Sequence, residues 1–143
     1  MNPYTPPAGP FSDEELNAYI ETMMLFAVAD GTVKNSELNM IQMAVVGYLE
    51  SHPALKDMKR QQLMDLCFER ANAIYADGPH ARLQSIAGVL KQTEQRMYAL
   101  GMAVAVATAD GVIQTGERAG FTLLQRAFEL TDDQVRSAIK AFG

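Results

Sequence analysis

A short acidic motif occurs twice in this chain, and the repetition narrows the possible folds more than any other property. Ala29-Asp30-Gly31-Thr32-Val33, followed by Glu37, recurs as Ala109-Asp110-Gly111-Val112-Ile113, followed by Glu117, with every position offset by 80 residues. The register extends outward. Ile20 pairs with Leu100, Ile41 with Phe121 and Tyr48 with Phe128, and the N-cap candidates Ser51 and Thr131 fall at the same offset. In each copy an apolar stripe of helical period runs up to the Asp-Gly and a second begins near the Glu. Glycine supplies the left-handed residue on which a helix can end, so each copy is expected to form helix, turn, helix. Two such hairpins, related by pseudo-symmetry and separated by further helices, define an all-α bundle.

Seven helices can be read around this duplication. The first opens at Ser12, an N-cap with Glu15 three residues on to complete a capping box; Phe11 and Leu16 have staple spacing, and Asp13 and Glu14 suit the positive helix end. Leu16, Ile20, Met23 and Ala27 form its apolar face, and Gly31 is expected to end it. The second runs from about Asn35 to Glu50, with Leu38, Ile41, Val45 and Tyr48 or Leu49 inward, until His52-Pro53 breaks it. The third covers roughly Leu55 to Tyr75 with Met64, Phe68, Ala71 and Tyr75 on one stripe, stopped by Asp77-Gly78-Pro79. The fourth spans about His80 to Leu90, with Leu83, Ile86 and Leu90 inward.

The fifth is capped by Thr93 and runs to Ala109. Its Ala103 to Val106 run alternates like a strand, but the alanine content and the period of Met97, Leu100, Val104 and Ala107 favour helix. Apolar nearly all round, it is expected to be central. The sixth runs from about Gly116 to Glu129, and a Thr131–Gln134 capping box opens the last, which buries Val135, Ile139 and Phe142. Pro3, Pro6, Pro7 and Pro10 make residues 1–11 an irregular, flexible, polyproline-like lead-in. Residues 12–143 form one domain.

Composition removes several function classes. At 143 residues and 48% hydrophobic, the chain is long enough for one real core. Its net charge of −5 argues against nucleic acid as a partner, which requires a cationic stripe. Cys67 is the only cysteine, so neither an internal disulfide nor a cysteine zinc knuckle can form, and His52 and His80 alone cannot make a histidine metal site. The first eleven residues carry no Lys or Arg and do not read as a secretory signal. The longest apolar run, Ala99 to Ala109, is about half of what a membrane span needs. A reduced, cytoplasmic protein is the expectation, with peripheral membrane contact through Lys56, Lys59 and Arg60 a minor alternative to a solvated basic face.

Ala-Asp-Gly, any residue, an aliphatic, and Glu six residues after the Gly, twice in seven helices, resembles the TerB-like family of tellurite-resistance proteins, over nearly the whole chain from Phe11 to Phe142. The resemblance implies a compact helical domain linked to tellurite and other stresses, with protein partners near the inner membrane and no established enzymatic activity. It also implies that the acidic motif residues serve metal ions or partners. The chain departs from the family at the entry to the second hairpin helix. Ser-Pro-Glu-Glu is frequent there, whereas Lys34-Asn35-Ser36-Glu37 and Gln114-Thr115-Gly116-Glu117 keep the Glu without the proline.

The candidate site residues are therefore Asp30, Glu37, Asp110 and Glu117. In an antiparallel hairpin each Asp–Glu pair is brought close, and paired carboxylates with loop carbonyls suit Ca²⁺, Mg²⁺ or Mn²⁺. The same residues suit a purely structural role more simply, Asp bonding the turn amides and Glu capping the next helix. The spacing is not that of an EF-hand loop. A third Ala76-Asp77-Gly78 is followed by Pro79 and has Gln84 where the Glu would stand, so it reads as a helix stop. Met23, Met40, Met43, Met64, Met97 and Met102 fall at or beside core-facing positions, Cys67 reads as a buried small hydrophobe, and the histidines as surface residues. The functional expectation is a non-enzymatic domain that binds partners, and a divalent cation, through its acidic hairpin ends. The alternative is a protein–protein scaffold without metal. A metal-dependent hydrolase ranks third, since no spacing indicates a base, a nucleophile and a pocket.

Overall fold

A computed structural model of the protein describes residues 12–28, 35–51, 59–108 and 115–142. Among these residues there are seven helices and no strand: α1 (Asp13–Ala27), α2 (Asn35–Ser51), α3 (Arg60–Asp77), α4 (Pro79–Val89), α5 (Thr93–Ala107), α6 (Thr115–Phe128) and α7 (Asp132–Phe142). The all-α bundle is as the sequence implies.

The duplication is present in the backbone. Both ends of α1 and α5 differ by 80 residues, and α2 and α6 begin at the same offset. The caps match as well: Val28 (φ −96°, ψ −1°) and Thr108 (φ −99°, ψ 5°) each donate their N–H to the carbonyls four and two residues back. α1 and α5 pack on each other at the centre, where Tyr19 and Tyr98 meet edge to face with centroids 5.3 Å apart. Every residue of α1 from Ala18 to Ala27 is buried, so the four-residue stripe legible in its sequence is only part of its interior surface. Thr22 satisfies its hydroxyl by donating to the Ala18 carbonyl at 2.7 Å. Ser12 caps α1 as expected, its Oγ accepting from the Glu15 N–H at 3.2 Å. The helix stops at Ala27, ahead of Gly31, which lies outside the described residues together with Phe11 and His52.

α3 departs from the sequence reading in two ways. Lys59 is extended (φ −81°, ψ 153°), so the helix begins at Arg60 rather than near Leu55, with the Lys59 N–H donating to Gln62 Oε1 at 2.8 Å. The buried stripe is Leu63, Cys67, Ala71 and Ile74, whereas Phe68 and Tyr75 are 52% and 63% exposed. Two apolar stripes lie about one residue, or 100°, apart on this helix. The rotation that buries the first also brings Arg70 to Glu21 of α1 at 3.2 Å.

Gly78, at φ 88°, is the only residue between α3 and α4, a conformation glycine adopts without steric cost. Pro79 then takes the first position of α4, where its missing N–H is harmless. Glu21 meets Arg70 and Arg82, while Leu25, Phe26 and Val28 share a groove with Ile74, Tyr75, Pro79 and Leu83. α3 therefore runs parallel to α1 and α4 returns antiparallel to it.

Gln92, not Thr93, is the N-cap of α5, and its N–H donates to Gln95 Oε1 at 3.1 Å. α6 ends on Glu129 in the left-handed region (φ 56°), with the Leu130 N–H reaching back to the Gln125 carbonyl at 3.0 Å. The expected Thr131–Gln134 box forms in both directions, at 2.8 and 3.1 Å. Val135 and Ala138 are buried on α7 and Ile139 is half-buried; the Phe142 side chain lies outside the described residues. Arg96 ties three helices together, donating to the carbonyls of Leu90 (2.6 Å), Ala87 (3.0 Å) and Phe128 (3.1 Å) and lying over the Phe128 ring. No helix among the described residues is long and apolar enough to cross a membrane.

Candidate functional site

Of the four acidic residues singled out by the repeat, Asp30 and Asp110 lie outside the described residues. Glu117 stands in the first turn of α6 with its side chain outside them, and Glu37 stands in the first turn of α2, 4% exposed. A carboxylate kept that far from water requires donors or positive charge around it, and Glu37 is partnered within the fold.

The helix ends from which the motifs depart are placed by α1 and α6. Phe26, near the end of α1, packs on Phe121 of α6 with ring centroids 4.5 Å apart. The neighbouring Gly120 lets the two helices approach, since a Cβ there would lie 3.0 Å from Phe26 Cε1. Segment 29–34 thus leaves from a helix end that packs on the helix into which segment 109–114 leads. α2 in turn packs on both α1 and α5. The two motifs are anchored on one interlocked set of helices rather than on two separate hairpins. Among the described residues no group of three or more His, Cys, Asp or Glu is arranged to hold a metal ion.

A second polar centre carries no motif in the sequence. Glu21, on the central helix and 2% exposed, accepts from Arg82 Nε at 2.7 Å and Arg82 Nη2 at 2.8 Å, and from Arg70 Nη1 at 3.2 Å. The guanidinium groups, about one-fifth exposed, reach outward to Asp77 (3.3 Å from Arg82) and Glu69 (2.9 Å from Arg70). Hydrogen bonding to Glu21, opposed in part by burial, raises the Arg82 pKa above its ordinary value, and the nearby Glu21 and Asp77 charges raise it further. Arg70 Nε is buried without a partner. A cavity of about 140 Å³ beside the cluster is also lined by Glu14, Asn17 and Ser85. The only sequence signal was an acid inside an otherwise apolar helix, at the position where the second copy has Gly101.

A further concavity, among the described residues, is apolar. It encloses about 400 Å³ between the end of α1, the α3–α4 corner and α6. Met43 is 68% exposed, contrary to the core-facing expectation, whereas Met23, Met97 and Met102 are buried. Cys67 is buried as expected, and burial pushes its thiol up to about 11, so it is protonated and unreactive at neutral pH. Burial likewise raises the Tyr98 phenol to about 12. His80 is exposed, 3.1 Å from the Gln84 amide, and Lys59 of the basic cluster is exposed. No family model, curated protein or solved structure matches this chain.

Proposed function

We propose that the chain is a non-enzymatic domain of the TerB-like, tellurite- and stress-resistance type. On this reading it binds protein partners, and a divalent cation of the Ca²⁺, Mg²⁺ or Mn²⁺ class, through Asp30, Glu37, Asp110 and Glu117. One observation carries the reading. α1 and α5 are equivalent helices with matched boundaries and matched C-caps, and the end of α1 packs on α6 through Phe26 and Phe121. A motif repeated at the ends of equivalent helices within one packed set of helices is suited to a composite acidic site, in which each copy supplies part of the ligand set. Hard oxygen donors from several carboxylates are the chemistry such cations select.

A second reading, an interaction scaffold without metal, is favoured by the burial of Glu37 among partners of its own fold. Calorimetric titration of chelator-stripped protein with each cation separates the two. The composite site takes one ion per chain, and its heat disappears in Asp30→Asn/Asp110→Asn. Two ions per chain would mean that each hairpin binds independently, and no heat with any cation would leave the scaffold reading.

A further inference from the structure

We propose that the apolar concavity between the end of α1, the α3–α4 corner and α6 is a binding site for an uncharged aromatic small molecule. The space is about 400 Å³, within the range of pockets that hold small organic ligands, about 300–1,000 Å³. An apolar cavity of about 150 Å³ takes one benzene, so this one accommodates a body of about two to three rings. Phe26, Ile74 and Leu83 form its floor and are buried, whereas Tyr75, Pro79 and Ala119 stand exposed around the mouth. The arrangement is a recess with an apolar floor and an entrance, not a flat apolar face.

Charge, hydration and ring contacts select this class of occupant. The described walls consist of aliphatic side chains, two aromatic rings, a proline and small residues. An ion placed among them would lose its hydration without gaining a partner of opposite charge. The backbone at the rim is already paired. The Gly78 N–H donates to the Ile74 carbonyl at 2.8 Å, the Gly78 carbonyl accepts from the Arg82 N–H at 3.2 Å, and Pro79 has no N–H to offer. The Val28 N–H is likewise used, by the Met24 carbonyl at 3.0 Å. A well-held water needs about two to four polar partners, so water in this recess is poorly held, and an apolar body that displaces it gains affinity. Phe26 and Tyr75 favour a ring over a flexible chain. Phe26 is fixed by Phe121, with centroids 4.5 Å apart, and a ring held in place offers an incoming ring the edge-to-face contact that an aliphatic chain cannot make.

The test uses the full chain, which has no tryptophan to interfere with a fluorescent probe. N-phenyl-1-naphthylamine, an uncharged three-ring body, should give a saturable rise in fluorescence at one probe per chain. In the ¹⁵N-enriched wild type its amide shifts should centre on Gly78, Leu83, Gly120 and Leu123. Ala119→Phe fills the mouth from an exposed position and should weaken the probe by about tenfold or more, whereas Ala119→Ser should bind it as the wild type does. 8-Anilinonaphthalene-1-sulfonate, the same body with a fixed negative charge, should also bind about tenfold or more weakly. The amide shifts are read on the wild type, so they decide the location even if Ala119→Phe fails to fold. No saturable rise, shifts centred elsewhere, undiminished binding in a folded Ala119→Phe, or equal affinity for the sulfonate would each overturn the proposal.

Discussion

Removing one arginine from the Glu21 cluster should have an effect that depends on which arginine is removed. Arg82 gives Glu21 two short bonds, at 2.7 and 2.8 Å, one to each carboxylate oxygen, whereas Arg70 gives one at 3.2 Å. Glu21 is 2% exposed, so Arg82→Ala leaves a buried carboxylate with a single long arginine partner. Breaking a buried pair from one side costs about 3–5 kcal/mol. With Arg70 still in place, we expect the low end for Arg82→Ala, about 3 kcal/mol, and about half of that for Arg70→Ala, which removes one charge-assisted bond. For a domain of this size 3 kcal/mol is roughly 10 °C in Tm. Replacing all three residues together, Glu21→Met, Arg70→Met and Arg82→Leu, should recover most of the loss, because no buried charge is then left uncompensated. Urea unfolding followed by far-UV circular dichroism measures each value. Equal small losses for both arginine variants, or a larger loss for Arg70→Ala, would show that the cluster is not organised around the Arg82 fork.

Alkali and glycine substitutions give further expected outcomes. The Cys67 thiol ionises near 9 when unfolded and near 11 when folded, so the native state holds its proton more tightly. The contribution is complete below pH 9 and is lost as pH rises through 11; stability followed from pH 8 to 11 should fall by about 2–3 kcal/mol more in the wild type than in Cys67→Ala. Gly120→Ala places a methyl 3.0 Å from a Phe26 ring that is itself packed on Phe121, so overpacking should outweigh the helix-propensity gain and cost about 1 kcal/mol. Gly88→Ala, on an exposed face of α4 with nothing within 4 Å of its Cβ, should instead stabilise by about 0.5–1 kcal/mol. Denaturant midpoints of the two variants should therefore move in opposite directions.

The repeat was the most legible part of the chain, because a fixed offset of 80 constrains helix boundaries in both copies at once, and α1 and α5 obey it at both ends. Caps with side-chain acceptors were also legible. Ser12 accepts from the Glu15 N–H and the Thr131–Gln134 box forms in both directions, while Gln92 displaced Thr93 because its N–H meets Gln95. α3 was misread at its face. Met64, Phe68 and Tyr75 are as apolar as Leu63, Cys67 and Ile74, and only contact with α1 and α4 decides between stripes of equal period. The Glu21 cluster was invisible for a related reason: its members lie 49 and 61 residues apart, and no local pattern marks their meeting. Of the acidic motif, the sequence supplied the residues and their equivalence, but the packing of α6 on α1, on which the proposed composite site rests, is not encoded by periodicity.

Thermal melting of chelator-stripped protein, with and without millimolar Ca²⁺, Mg²⁺ or Mn²⁺, tests the proposed acidic site most directly. A cation held at 100 times its Kd stabilises the folded state by about 2.7 kcal/mol, or roughly 5–10 °C for a domain of this size. We predict that shift in the wild type with at least one cation, and its disappearance in Asp30→Asn/Asp110→Asn at unchanged helical content. No shift with any cation, or a shift that survives in the double variant, would contradict it.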